Sequence, residues 1–106
     1  MHGIFVFNHT DESLPCRNVR TCNDEEKALS IGCEIVKTLA KDFNEEIYIF
    51  MEEKVFDLYG DQRKGVHIFN GNVPWSVFVT GSKLDKPIIG PIGYDKNHEI
   101  DFGEDN

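Results

Sequence analysis

The chain has 106 residues, 40% of them hydrophobic, with 8 Phe, 3 Tyr and 1 Trp, and 19 acidic against 11 basic side chains for a net charge of −8. That length makes one domain with one real core, and that apolar content excludes a disordered chain. The acidity excludes ready binding to nucleic-acid phosphates or anionic membrane surfaces, which need Lys and Arg to neutralise them.

Met1–Phe7 lacks the basic stretch and the long apolar stretch of a secretory signal, so a cytoplasmic location is expected. Within it, Ile4–Phe7 reads as a strand that is apolar on both faces and therefore central. Residues 8–23 read as a long polar loop. Arg17 and Arg20 are its one local basic feature. They stand just ahead of a helix start, where free N–H groups can also hold an anion, and so are candidate ligand-binding residues. Ion pairs with Asp11, Glu12 or Asp24 are the simpler use for them.

Residues 24–43 form an amphipathic helix. Asn23 is the expected N-cap and Glu26 its capping-box partner, with Asp24, Glu25 and Glu26 against the positive end of the helix dipole. At about 100° per residue, the apolar positions from Ala28 to Phe43 fall on an arc of roughly 200°. That is wider than an ordinary surface helix shows, and predicts a helix cradled by a curved sheet or covered on a second side. Asn44 is the expected stop.

Ile47–Met51 reads as a strong strand. Glu52-Glu53-Lys54 reads as a tight connection, Val55–Tyr59 as the next strand, and residues 60–65 as a loop. Val66–Phe69 follows as a strand. Asn70-Gly71-Asn72 is a hairpin signal, since Asn-Gly accepts the positive φ of primed turns. Pro74 suits the entry of a strand at Trp75–Thr80, whose alternation places Trp75, Val77 and Val79 on one face and Ser76, Phe78 and Thr80 on the other. Residues 86–94 are apolar but broken by Pro and Gly, which makes them an extended segment over the core or an edge strand. Residues 95–106 read as an acidic, mobile tail, leaving residues 1–94 as the globular domain.

The expected fold is α+β in two layers: one long helix on a mainly antiparallel sheet of about five strands, in the order β-α-β-β-β-β. Its core would hold Leu29, Ile35, Val36, Leu39, Ile47, Ile49, Phe50, Val66, Ile68, Trp75, Val77 and Val79. The element order resembles the cystatin-like arrangement, in which a sheet wraps one helix, and Pro74-Trp75 is similar to the Pro-Trp of those inhibitors. Their Gln-x-Val-x-Gly hairpin is replaced here by Met51-Glu52-Glu53-Lys54-Val55-Phe56, so the resemblance carries the fold and no inhibitory site. The strand, loop, helix and Glu46–Met51 strand are also similar to small sulfur-relay proteins of the DsrE type, whose Asp-Gly turn and second strong helix are absent from this chain.

No catalytic or ligand motif rises above background. Residues 8–23 contain no glycine for a phosphate loop. Six residues after Cys16 stands Cys22, where a cysteine phosphatase loop needs Arg. His9, Cys16 and Cys22 are separated by six and five residues, wider than paired zinc ligands, so no metal and no cofactor are expected. Cys16 and Cys22 flank a loop and can pair, though a cytosolic setting disfavours it, and Cys33 falls in the helix arc as a small hydrophobe. Ser76 and His67 can lie on neighbouring strands, but spacing builds no Ser-His-Asp triad from them. The chain therefore reads as no enzyme but as a small protein-binding module, an inhibitor or adaptor, for a partner with a basic patch. Asp95, Glu99, Asp101, Glu104 and Asp105 are the candidate contacts, since residues 95–106 hold half the net charge. The alternative is a small anion- or ligand-binding protein or enzyme using the 8–23 loop.

Overall fold

The computed structural model describes residues 1–11 and 13–84, together with the backbone of 88–90. The elements are β1 (His2–Asn8), β2 (Arg17–Cys22), α1 (Glu25–Asp42), β3 (Ile49–Leu58), β4 (Asp61–Asn70), β5 (Trp75–Thr80) and β6 (Ile88–Gly90). The strands form one sheet in the order β2-β1-β5-β4-β3-β6, and every neighbouring pair is antiparallel. One helix packed on an antiparallel sheet makes the chain α+β. The boundary at 94/95 and the acidic residues beyond it lie outside the described residues.

α1 begins one residue later than the capping signal predicts. Cys22 still belongs to β2, Asn23 is the link, and Asp24 is the cap, its carboxylate accepting the Glu26 N–H at 3.2 Å. Glu26 then stands at the second helical position and cannot reach back to close the box. Glu25 instead accepts the Lys83 N–H at 2.7 Å, tying the helix start to the chain beyond β5. The far end closes as expected at Asn44, with φ +59°. The Asn44 N–H donates to Lys41 and the Glu45 N–H to Ala40, a Schellman closure that satisfies two orphan carbonyls.

The core lies between α1 and one face of the sheet. Ala28, Leu29, Gly32, Cys33, Val36 and Ala40 are buried against Ile4, Ile49, Met51, Val66, Ile68, Val77 and Val79. A Cβ on Gly32 would come 2.9 Å from Ile68 Cδ1, so the absence of a side chain there lets the helix approach the sheet closely. Ile31, Ile35 and Leu39 are only half-buried, and Phe43 is exposed. Among the described residues the outer part of the wide apolar arc is covered by no second layer. Leu39, expected in the core, sits on the border of the buried stripe.

Three connections differ from their sequence signals. Residues 17–22 are a strand rather than loop. β3 runs unbroken through Glu52-Glu53-Lys54, because β4 pairs with it along its whole length, from Ile49↔Asn70 to Leu58↔Asp61. The turn is then only Tyr59-Gly60, with φ +56° and +82°, as a primed two-residue turn requires. The Asn70-Gly71 connection does join β4 to β5, but not by positive φ. The Asn70 side chain accepts the Asn72 N–H at 2.9 Å and its carbonyl accepts that of Val73, so the amide shapes the turn.

Candidate functional site

Alternation along the strands gives the sheet a second face, turned away from α1, and that face is aromatic. β1 sends Phe5 and Phe7 to it, β5 Ser76 and Phe78, β4 His67 and Phe69, and β3 Phe50, Glu52 and Phe56. Phe7, Phe78 and Leu58 are buried there, with Phe5, Cys16 and Phe56 packed on them. The rings meet edge to face: Phe7 and Phe56 at 4.7 Å between centroids, Phe56 and Phe78 at 4.6 Å, Phe50 and Phe69 at 5.1 Å. Such pairs add roughly 0.5–1.5 kcal/mol beyond area burial. Lys54 lies over the Phe56 ring at 5.0 Å.

A polar chain runs through these rings. His67 Nδ1 is 3.1 Å from Glu52 Oε2, and His67 Nε2 is 2.9 Å from Ser76 Oγ. A carboxylate only accepts, so Nδ1 carries the proton, and Nε2 accepts from the serine hydroxyl. His67 is 3% exposed and stacks on Phe69 at 4.5 Å. Burial pushes its pKa down to about 4. The Glu52 hydrogen bond opposes that shift, and the charge of Lys54 adds to it. His9 lies beside it at 5.9 Å, held low by burial and then by Lys54, and its buried Nδ1 has no partner among the described residues.

Serine, histidine and carboxylate at these distances are the parts that activate a nucleophile in hydrolases. Here Ser76 has no exposed surface and stands near the start of β5, opposite Phe7. The arrangement satisfies three polar side chains inside an aromatic layer but presents no hydroxyl to a substrate. The sequence put Ser76 and His67 on neighbouring strands without linking them. Glu52 is not legible as their partner, because Glu52-Glu53-Lys54 reads as a turn. The i, i+2 series Phe50, Glu52, Lys54, Phe56 is the signal that places it on the aromatic face.

At one end of the aromatic face, residues 13–16 fold over β3 and leave a cavity of about 470 Å³. Phe7, Leu14, Pro15, Phe56 and Leu58 supply its apolar walls, with Cys16 beside them. The Tyr59 hydroxyl donates to the Cys16 carbonyl at 2.9 Å and ties that loop to the β3–β4 turn.

Arg17 and Arg20 lie not in a loop but on β2, and both are exposed. Neither makes an ion pair among the described residues. Two acids expected to pair with them are engaged elsewhere: Asp11 accepts from the Ser13 N–H and hydroxyl, and Asp24 caps α1. The cysteines are free, and Cys16 and Cys22 are on opposite sides of the sheet, Cys22 in the helix-side core. Among the described residues no three His, Cys, Asp or Glu side chains converge as metal ligands, and no helix is long and apolar enough to cross a membrane. Asp95, Glu99, Asp101, Glu104 and Asp105 lie outside the described residues. No protein-family model, curated protein or solved structure matches the chain.

Proposed function

We propose that the protein is a small protein-binding module, an inhibitor or adaptor that acts by occupying a partner's surface with the helix-free aromatic face. The observation that supports this most is the half-burial of Phe5, Phe50, Phe56 and Phe69 on a side of the sheet that α1 does not cover. Contiguous, partly exposed aromatic rings are what binding surfaces offer and what a face closed by a second layer lacks. The neutral His67 keeps the centre of that face free of buried charge. A net charge of −8 selects a partner with a basic patch and speeds the encounter, with Asp95, Glu99, Asp101, Glu104 and Asp105 as its steering residues.

Capture from host lysate tests this with three baits: the native chain, Phe50→Ser/Phe69→Ser, and a chain lacking residues 95–106. A partner bound by the native chain should be lost by the double variant, assayed below its melting transition with its fold verified by circular dichroism, since losing the Phe50–Phe69 contact also lowers stability. The truncated chain should bind the same partner more slowly, with the deficit shrinking as salt rises. Equal capture by the double variant would overturn the role of the aromatic face.

The 470 Å³ cavity beside residues 13–16 supports a second reading, a carrier of a small apolar ligand, since ligand pockets span about 300–1,000 Å³ with apolar walls. Native mass spectrometry of protein purified from its host should then show a bound small molecule, and an empty chain would count against it.

A further inference from the structure

Among the described residues β2 ends the sheet and is hydrogen-bonded on one side only, to β1. Five of its six residues are exposed, and among the described residues no strand pairs with its outer side, which leaves that edge available to another strand. Its register contains a bulge. Ile4 stands opposite Arg20, but Phe5 stands opposite Asn18 and Val6 opposite Arg17, so Val19 is an extra residue. The Asn18 side chain accepts the Arg20 N–H at 3.2 Å and holds that geometry.

The bulge decides where the two guanidinium groups go. In a regular strand, residues three apart point to opposite faces. With Val19 extruded, Arg17 and Arg20 oppose Val6 and Ile4, two positions apart, and therefore share the face that carries α1. Their spacing along the edge is about 6.5 Å, the repeat between alternate side chains of an extended strand. Both are exposed and make no ion pair among the described residues.

We propose that the free edge of β2 takes an extended acidic peptide segment of a second protein as an added strand, with carboxylates at alternate positions facing Arg17 and Arg20. Backbone pairing supplies the affinity and the two arginines select the sequence. The same charges oppose the commonest unwanted occupant of an open edge. A second copy pairing β2 with β2 would set arginines against arginines. This site is separate from the aromatic face, and its test does not depend on that face.

The test is an amide NMR titration of the full chain with a capped peptide of about ten residues alternating Glu and Thr. Saturable shifts should appear at residues 17–22. Arg17→Gln/Arg20→Gln, with its fold verified by the rest of its spectrum, should bind at least about tenfold more weakly. So should a peptide whose central Thr is Pro, which removes a ladder donor while keeping the charge. A peptide with Lys for Glu should cause no shift at β2. Equal binding by the arginine variant, equal binding of the proline peptide, or no β2 shifts at millimolar peptide would each overturn the proposal.

Discussion

Replacing His67 should flatten the pH dependence of stability, and the structure sets the size of the effect. In the unfolded chain the imidazole titrates near 6.5. In the fold, burial among Phe7, Phe56 and Phe69 lowers its pKa to about 4. Above pH 6.5 the ring is neutral in both states and adds no slope. Between 6.5 and 4 the unfolded chain takes up a proton that the folded chain refuses, so stability is lost as pH falls through that window. Below about 4 both states are protonated and the loss stops. The depression corresponds to roughly 3 kcal/mol, a large part of a typical 5–15 kcal/mol domain stability. His9, also lowered, adds in the same direction. Urea denaturation followed by Trp75 fluorescence at pH 7 and pH 4 measures it. His67→Gln should be less stable than the native chain at pH 7, because Ser76 and Glu52 lose a partner. It should nevertheless lose about 3 kcal/mol less on going to pH 4. The comparison removes the carboxylates, which titrate in both proteins. Parallel losses in the two proteins would show that His67 is not held neutral by burial.

Three further outcomes are expected. Leu29→Ala, which empties a buried helix position, should cost about 2–5 kcal/mol on chemical denaturation, while Leu39→Ala at the half-buried border should cost under about 1 kcal/mol. Gly65→Ala should destabilise by roughly 2–3 kcal/mol in the same assay, since its Cβ would run into the Val79 carbonyl and lie 2.9 Å from Phe78, and strand backbone has little room to give. A thiol reagent should label Cys16 in the native protein and reach Cys22 and Cys33 only after unfolding, because Cys22 is 8% exposed and Cys33 fully buried. Native labelling of Cys22 would mean that β2 does not hold its place against β1.

The sequence by itself determined the elements that carry their own signal. The helix is legible because its apolar period and its Asn44 stop act within one segment. β5 is legible because Pro74 marks its entry and a run of β-branched and aromatic residues follows it. The α+β class follows from short links between successive strands. β2 was not legible, since five of its six side chains face solvent and show no alternation; it is a strand only because β1 offers it a paired edge. The continuity of β3 through Glu52-Glu53-Lys54 was hidden for a related reason. Those charges read as a turn, and the pairing with β4 that overrides them comes from residues 65–67. The Ser76–His67–Glu52 chain and the shared face of Arg17 and Arg20 depend on cross-strand register and on one extruded residue. Register is a relation between segments rather than a property of any one of them, so only the folded sheet decides it.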